Sequence, residues 1–365
     1  MAERQRLRDL GISIGAFPTG PFNAITDVSG VCVGHASISE GAARTGVTAI
    51  LPSDGDVFMQ RVAAGAFILN GAGEMSGLIQ VVEWGLLETP ILLTNTLSVG
   101  LVSAATVDHV VQRYPGIGHI HDVIIPLVGE CDDSHLNDII GGHVTPSMVF
   151  EALDGARTGP VQEGNVGGGT GMVSFDFKGG IGTSSRHVMD YHGDHTLGIL
   201  VMSNVGRMED LRVDGVPVGR VLRPRWQQGP RRPIFGSIIV VLATDAPLSS
   251  HQIQRVCKRV ALGIGRVGSY AAHGSGEIVI GFSTANRLPR VDPPPIQTIT
   301  TFADRFIDPI YQAAIECTEE AMLNAMCMAE SMVGVRGNEV HAVPLDELAD
   351  IFFKERGRWM PAEGL

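Results

Sequence analysis

The run "RRPIFGSIIVVLATDAPLSS", residues 231–250, decides how the rest of the chain is read. After the pair Gly236-Ser237, the residues Ile238-Ile239-Val240-Val241-Leu242 follow without a polar break. So short and uninterrupted an apolar run, rich in β-branched residues, predicts a strand buried on both faces. Behind it, "PLSSHQIQRVCKRVALGIG" sets Ile253, Val256, Cys257, Val260, Ala261 and Ile264 at helical spacing, with Ser249 or Ser250 as the cap. A second strand, "GEIVIGF", opens directly after "HGS", so Ser275 and Glu277 also stand at a strand's mouth. If the helix over 250–263 is a crossover between two parallel strands, both start at the same edge of one sheet. Ser237, Ser275 and Glu277 then converge: two hydroxyls and a carboxylate at a glycine-lined edge.

The same alternation extends through the chain. Glycine-bounded apolar runs such as "GVCVGH", "GVTAILP" and "GAFILNGAG" predict further strands. "PIYQAAIECTEEAMLNAMCMAESMVG" predicts a second long helix, with Pro309 at its entrance and Gly334 just beyond its end. Mixed strands and helices imply an α/β or α+β layered fold. Residues 206–233 are rich in Arg, Pro and Gly, lack an apolar period, and predict a long exposed connection that delivers the chain to Gly236-Ser237.

Composition narrows the function. A chain of 365 residues, 44% of them hydrophobic, can bury a sizeable core. The formal charge of −12 argues against nucleic acid, which is bound through clustered Lys and Arg, and points to a small-molecule partner. The start of the chain carries Glu3, Arg4, Arg6, Arg8 and Asp9 and never reaches the apolar core of a secretory signal. "PILLTNTLSVGLVSAA" is too polar for a lipid span. A cytoplasmic protein without a membrane segment is expected. The five cysteines, Cys32, Cys131, Cys257, Cys317 and Cys327, are odd in number and form no C-x-x-C pair, so reduced, mostly buried thiols are expected.

Several familiar patterns carry less. "GIGRVG", residues 263–268, has dinucleotide-fingerprint spacing but falls at the end of the predicted helix, where it reads as a cap and turn. His187, Asp190, His192, Asp194 and His195 lie in "RHVMDYHGDH" and could bind a metal, but they read more simply as a polar hairpin around residues 192–194. "EGNVGGGTGM" lacks the ending of a P-loop, so close backbone approach beside a site or a subunit contact is expected there.

"PIFGSIIVVLATDAPLS" and "HGSGEIVIGFSTAN" together resemble the self-cleaving junction and catalytic segment of the DmpA-type aminopeptidases, the L-aminopeptidase/D-Ala-esterase and β-aminopeptidyl group. The likeness continues through "NAITDVSGVCVGH", "NGAGEMSGL", "ETPILLTNTLSVG", "GECDDSHLND", "EGNVGGGTGM" with "KGGIGTSSR", and "LGILVMSNVG". It implies an α+β fold, a layered αββα sandwich of the DmpA/ornithine acetyltransferase type related to N-terminal nucleophile hydrolases. It further implies one catalytic domain over 1–365, cut between Gly236 and Ser237 into 1–236 and 237–365. Carried over residue by residue, Ser237 is the nucleophile, Ser275 and Glu277 are the second serine and carboxylate, Asn204 is the oxyanion amide, and Glu130 holds the substrate's free amine. Asp132 departs from the family pattern, standing where many relatives carry Asn.

The implied chemistry is coherent. A serine hydroxyl needs a base, and cleavage before Ser237 would create an α-amine beside it, with an ordinary pKa near 7.7 to 8.0. The expected activity is removal of an N-terminal residue from short peptides, amides or esters, β- or D-configured ones included, with no cofactor and no metal. The expected partners are that small substrate and further copies of the chain, as a tetramer of processed pairs. The competing readings are an ornithine acetyltransferase-like acyltransferase, whose nucleophile is Thr, and a binding protein that kept the fold and lost the chemistry. Cys131, adjacent to Glu130, is expected to be a packing residue.

Overall fold

The computed structural model describes residues 3–53, 56–190, 193–227 and 236–359. In chain order the strands are β1 (Cys32–Ile38), β2 (Thr45–Leu51), β3 (Gln60–Gly71), β4 (Met75–Ser76), β5 (Leu86–Leu87), β6 (Ile91–Asn95) and β7 (Leu127–Cys131). They continue with β8 (Val173–Ser174), β9 (Phe177–Lys178), β10 (Gly180–Asp190), β11 (Gly193–Asn204), β12 (Ser237–Thr244), β13 (Gly276–Pro289), β14 (Met332–Val333) and β15 (Glu339–Val340). The helices are α1 (Leu78–Trp84), α2 (Val99–Arg113), α3 (Pro146–Asp154), α4 (Val218–Trp226), α5 (Ser250–Val267), α6 (Asp308–Cys327) and α7 (Leu345–Trp359).

Every residue of β12 is buried. Its side chains alternate as a strand requires: Ile238, Val240 and Leu242 enter a core shared with α5 and α6, whereas Ile239 and Val241 enter a core between two sheets. One sheet runs β10-β11-β12-β13-β3-β5, the other β1-β2-β6-β7-β4. The inter-sheet core joins Val33, Ile50, Leu93 and Leu127 of the second sheet to Leu200, Met202 and Ile278 of the first. On its outer face the second sheet packs Val47, Leu92 and Val128 against Val102, Ala105 and Val149 of α2 and α3. The layers are therefore helices, sheet, sheet, helices, the αββα sandwich that the resemblance implies.

Helix α5 starts where the periodicity places it. Ser249 is the cap, its Oγ accepting from Gln252 N (3.3 Å) while Gln252 Oε1 accepts from Ser249 N (3.0 Å). Gly268 ends it in the left-handed conformation, so "GIGRVG" is the last helical turn and its cap, and the helix continues past the expected end at Gly263 to Val267. β12 and β13 pair in parallel across this crossover.

Two expectations need correction. The second long helix ends at Cys327, well short of Gly334. Glu330 leaves helical geometry to exchange backbone bonds with the Asn165 side chain (2.9 and 3.2 Å), and that contact stops the helix. Nor is the segment from residue 206 an exposed connection up to residue 227. It forms a turn at Met208–Asp210 and helix α4, and it buries Met208, Leu211, Val213, Val216, Val218 and Leu222 in the helix-side core. The apolar residues escape a periodic reading because Val213 and Val216 bond to each other across a tight turn (3.0 and 2.9 Å) and Pro224 lies in the last turn of α4. Residues 228–235 lie outside the described ones. Among the described residues no helix is long and apolar enough to cross a membrane.

Candidate active site

Sheet register assembles the site. Asn204 closes β11 opposite Ser237, which opens β12, and Ser237 faces Gly276 at the head of β13. The parallel crossover thus brings Ser237, Ser275 and Glu277 to one edge, as the sequence implies. Ser275 Oγ donates a short hydrogen bond to Glu277 Oε1. Ser237 Oγ and Glu277 Oε2 are both buried without a hydrogen-bond partner among the described residues. Such orphans are uncommon in native interiors and each calls for a cause. The carbonyl of Gly236 accepts from Gly276 N–H (3.1 Å), so the carbonyl preceding Ser237 is polarised. A methyl group added at Gly236 would lie 3.4 Å from Ser275 Oγ, which sets that hydroxyl against the Gly236–Ser237 peptide.

Asn204 is held at both ends of its amide. Its Oδ1 accepts from Val173 N (2.9 Å), and its Nδ2 donates to the Asp132 carbonyl (2.8 Å). A primary amide carries two N–H groups, so one is left for a substrate oxygen.

The second sheet supplies the other wall. β6 and β7 run parallel and end together, Thr94 opposite Glu130. Glu130 accepts from Glu74 N at Oε1 (2.9 Å) and takes a short bond from Thr96 Oγ1 at Oε2. The loop carrying Gly73 comes so close that a side chain there would lie 3.1 Å from Glu130 Oε1, and one at Gly276 would meet the Ala72 carbonyl at 2.7 Å. Glycine at both positions permits the loop after β3 to lie close against both Glu130 and the head of β13. Between them opens a cavity of about 370 Å³ lined by Thr96, Glu130, Asp132, Gly236 and Ser237 among others. Its volume suits a small ligand.

Burial sets the electrostatics. It pushes the Glu130 carboxyl above the ordinary Glu range against the Thr96 and Glu74 hydrogen bonds, with the Asp132 and Glu74 charges adding to the rise. Burial also raises Glu277, opposed by the Ser275 hydroxyl. Cys131 is fully buried and its thiol is pushed well up by the same desolvation, which suits packing and not nucleophilic attack.

The remaining candidates separate from the site. His187 pairs with Asp194 (2.6 Å) and His195 faces Asp245 (3.6 Å) at the far end of the β10–β11 hairpin, while His192 lies outside the described residues. The glycine-rich turn at Gly167–Gly169 makes the expected close approach: a side chain at Gly168 would lie 2.8 Å from the Leu93 carbonyl. Residue-level reading missed Thr96, which orients Glu130, and Asn70. Asn70 Nδ2 donates to the carbonyls of Ala272 (2.8 Å) and Ser275 (2.6 Å) and so fixes the entry to β13. Both fall inside strings that carried the resemblance, but neither has an individual signature.

A hydroxyl at the head of a central strand, in a sandwich of two sheets between helix layers, defines an N-terminal nucleophile hydrolase. The model of Peptidase family S58 matches residues 23–340. A beta-peptidyl aminopeptidase BapA of Sphingosinicella xenopeptidilytica is 41% identical over 95% of this chain and 90% of its own length. The solved L-aminopeptidase D-Ala-esterase/amidase of Ochrobactrum anthropi, described as a prototype of the serine aminopeptidases and a variant of the Ntn hydrolase fold, superposes with a TM-score of 0.90 at 42% identity, over 97% of this chain and 99% of that one. A Burkholderia sp. beta-aminopeptidase gives a TM-score of 0.89 at 42% identity, over 96% and 99%. The chain belongs to peptidase family S58, and it is a hydrolase of the aminopeptidase class.

Proposed function

We propose that the protein cuts itself between Gly236 and Ser237 and then uses Ser237 to release the N-terminal residue of short peptides, amides or esters. The observation that carries this reading is the Ser237 hydroxyl, buried, unpartnered and lining a cavity that also holds Glu130. In self-cleavage Ser237 Oγ attacks the Gly236 carbonyl carbon, forming an ester and freeing the Ser237 α-amine. Water then splits the ester, leaving the Gly236 carboxylate and the chain beginning at Ser237. The Gly276 N–H, already on the Gly236 oxygen, favours the charge that develops there.

In turnover the α-amine takes the Ser237 Oγ proton as that oxygen attacks the substrate carbonyl, and gives it to the departing amine. Water, activated by the same amine, hydrolyses the acyl-serine. Ser275 and the free oxygen of Glu277 hold the α-amine, and Asn204 donates to the oxyanion. Glu130 pairs with the substrate's ammonium and so admits chains with a free amino end. The names of the relatives make β- and D-configured N-terminal residues the first substrates to try. A cytoplasmic location and, on family resemblance, a homotetramer of processed pairs complete the proposal. The deciding experiment is Ser237→Ala: wild-type protein should separate under denaturing conditions into pieces of about two-thirds and one-third of the chain, and the variant should stay whole and inactive. Wild-type protein that stays whole with full amidase activity would sink the reading.

A further inference from the structure

Lys178, at the end of β9, is fully buried in the neighbourhood of the site, yet it is no part of the chemistry proposed above. Its Nζ donates to three backbone carbonyls, those of Met172 (2.8 Å), Gly179 (2.9 Å) and Gly169 (3.3 Å). Three acceptors match the three N–H groups of an ammonium and leave none for a neutral amine's lone pair. Among the described residues no carboxylate comes within ion-pair distance of it. It senses the charge of Asp133, whose Oδ1 accepts from Asn137 Nδ2 (2.9 Å) and whose Oδ2 is buried without a regular hydrogen-bond partner among the described residues. A cation in such a place is expensive unless it holds something that matters.

What it holds is the segment that orients Asn204. Met172 precedes Val173, whose N–H fixes Asn204 Oδ1. Between Val173 and Lys178 the β8–β9 hairpin turns through Phe175 and Asp176, both left-handed (φ 51° and 62°), a conformation that costs a bulky non-glycine residue. The turn therefore needs fastening. Met172 O takes bonds from both Gly179 N (3.0 Å) and Lys178 Nζ, which closes the base of the hairpin. At its other end the Asn204 amide is tied to the Asp132 carbonyl, next to Asp133. Asn204 thus hangs between two backbone segments, one fastened by Lys178 and the other carrying Asp133.

We infer that Lys178 is a positioning residue for the hydrolytic reaction: by clamping the Gly169, Met172 and Gly179 carbonyls it holds Val173 N–H on Asn204 and so aims the Asn204 amide at the oxyanion. The inference rests on the oxyanion role proposed for Asn204. Burial, with the Asp133 charge opposing, brings the Lys178 ammonium down to about 7, so the three-bond clamp is complete in acid solution and weakens as pH rises through neutrality.

The test is a double-mutant cycle on an amide with a free amine, reading kcat and KM separately, with melting temperature measured throughout. Lys178→Met should lower kcat on the order of tenfold or more with KM within about twofold, because a misaimed donor is felt in the transition state. In an Asn204→Ala background the same substitution should change kcat by less than about twofold, since the residue it acts through is gone. Lys178→Gln, which keeps side-chain N–H donors, should recover part of the loss. A Lys178→Met protein that fails to cut itself while Asn204→Ala is cut normally would also overturn the inference, because self-cleavage places its developing charge on the Gly276 N–H and not on Asn204. Full additivity of the two substitutions, a rise in KM at unchanged kcat, or failure of both Lys178 variants to fold would assign Lys178 to the fold and overturn the inference. Asn204→Ala with wild-type kcat would sink the oxyanion role and the inference together, whereas a slow Asn204→Ala beside a wild-type Lys178→Met sinks the inference alone.

Discussion

Two clusters of buried charged and polar groups differ in how they are satisfied. Beneath α6, Arg186 of β10 is fully buried and bonds Glu316 (3.1 Å) and Glu320 (2.7 Å), the Ser185 carbonyl (2.8 Å) and the Ile14 carbonyl (2.7 Å). Glu320 is further held by Arg8 (2.7 and 2.9 Å) and by Asn23 (2.6 Å). At the mouth of β12, Ser237 Oγ and Glu277 Oε2 are buried without a regular hydrogen-bond partner among the described residues, Ser237 lying beside the Cys131 thiol. The first cluster is closed: its donors and acceptors fasten the N-terminal segment, β10 and α6 together. The second is open, and a buried group left open is stable only as part of a fold that gives it some other use. Their carboxyls respond oppositely. Burial raises both Glu320 and Glu277, but the Arg186 charge with the Arg8 and Asn23 bonds brings Glu320 below the ordinary range, whereas Ser275 alone leaves Glu277 above it.

The largest effect should come from the open cluster. Glu277→Gln keeps the side chain's shape but removes the carboxylate that binds Ser275 and faces the proposed α-amine. Its kcat should fall on the order of a hundredfold to ten-thousandfold, the range of a lost acid–base partner. Stability should move the other way. A carboxyl whose folded pKa is raised opposes folding as pH passes the unfolded value, in full above the folded one, so Glu277→Gln should melt at or above the wild-type temperature at neutral pH. A variant that loses stability and keeps its rate would erase the distinction between the clusters.

The closed cluster predicts the reverse. In uncut Ser237→Ala protein, Arg186→Met leaves buried Glu316 without its cation and Glu320 with Arg8 alone, and should cost about 3 to 5 kcal/mol of stability, read from the denaturant midpoint. The Glu320 contribution, from a depressed pKa, is present above the ordinary Glu range and lost as pH falls through its folded value, so the penalty should shrink in acid. In processed enzyme carrying Arg186→Met alone, kcat at low temperature should stay within about twofold. A large loss of kcat in folded protein would show that this cluster, too, serves the chemistry.

The contrast also marks what the chain revealed before its fold was known. β12, α5 and β13 were legible because local signals agree: an unbroken apolar run, a Ser249 cap with Gln252 behind it, and helical spacing up to Gly268. Parallel pairing then followed from handedness, and with it the meeting of Ser237, Ser275 and Glu277. The second wall was not legible from the residues themselves. Glu130 reaches the cavity because β6 and β7 end in register on a different sheet, a long-range fact that family resemblance anticipated and spacing did not. Residues 208–222 were misread because their burial comes from packing against the helix-side core and not from a period of their own. Arg186 stands in a string noticed for its glycines, and nothing in the sequence announces that its partners lie 130 and 134 residues away.

Glu130 stands between the two clusters, for it is buried and partly satisfied, and it yields the finest test. Its Oε1 and Oε2 each take one bond, from Glu74 N and Thr96 Oγ1, which leaves lone pairs for an ammonium. Glu130→Gln should preserve self-cleavage and lower kcat/KM toward free-amine amides by roughly tenfold to a hundredfold, the worth of a charge-assisted bond. The pH profile separates this from a packing defect. Below the pKa of the Ser237 α-amine, which is near 7.7 to 8.0 when unperturbed, log kcat/KM should fall with a slope of about one as the base is protonated. Substrate binding also requires the Glu130 carboxylate, and burial places its titration above the ordinary Glu range, still on the acid limb. As pH falls through that raised value, a second proton blocks the reaction and the wild-type slope should steepen from about one to about two. Glu130→Gln has no carboxyl there to protonate, so its slope should stay about one shallower than the wild type's where Glu130 titrates, any proton taken by Glu277 being common to both. If both proteins steepen alike, the second titration belongs to another group and Glu130 is not the amine anchor. If neither does, Glu130 does not titrate where its burial requires, and the open site is more polar than its walls imply.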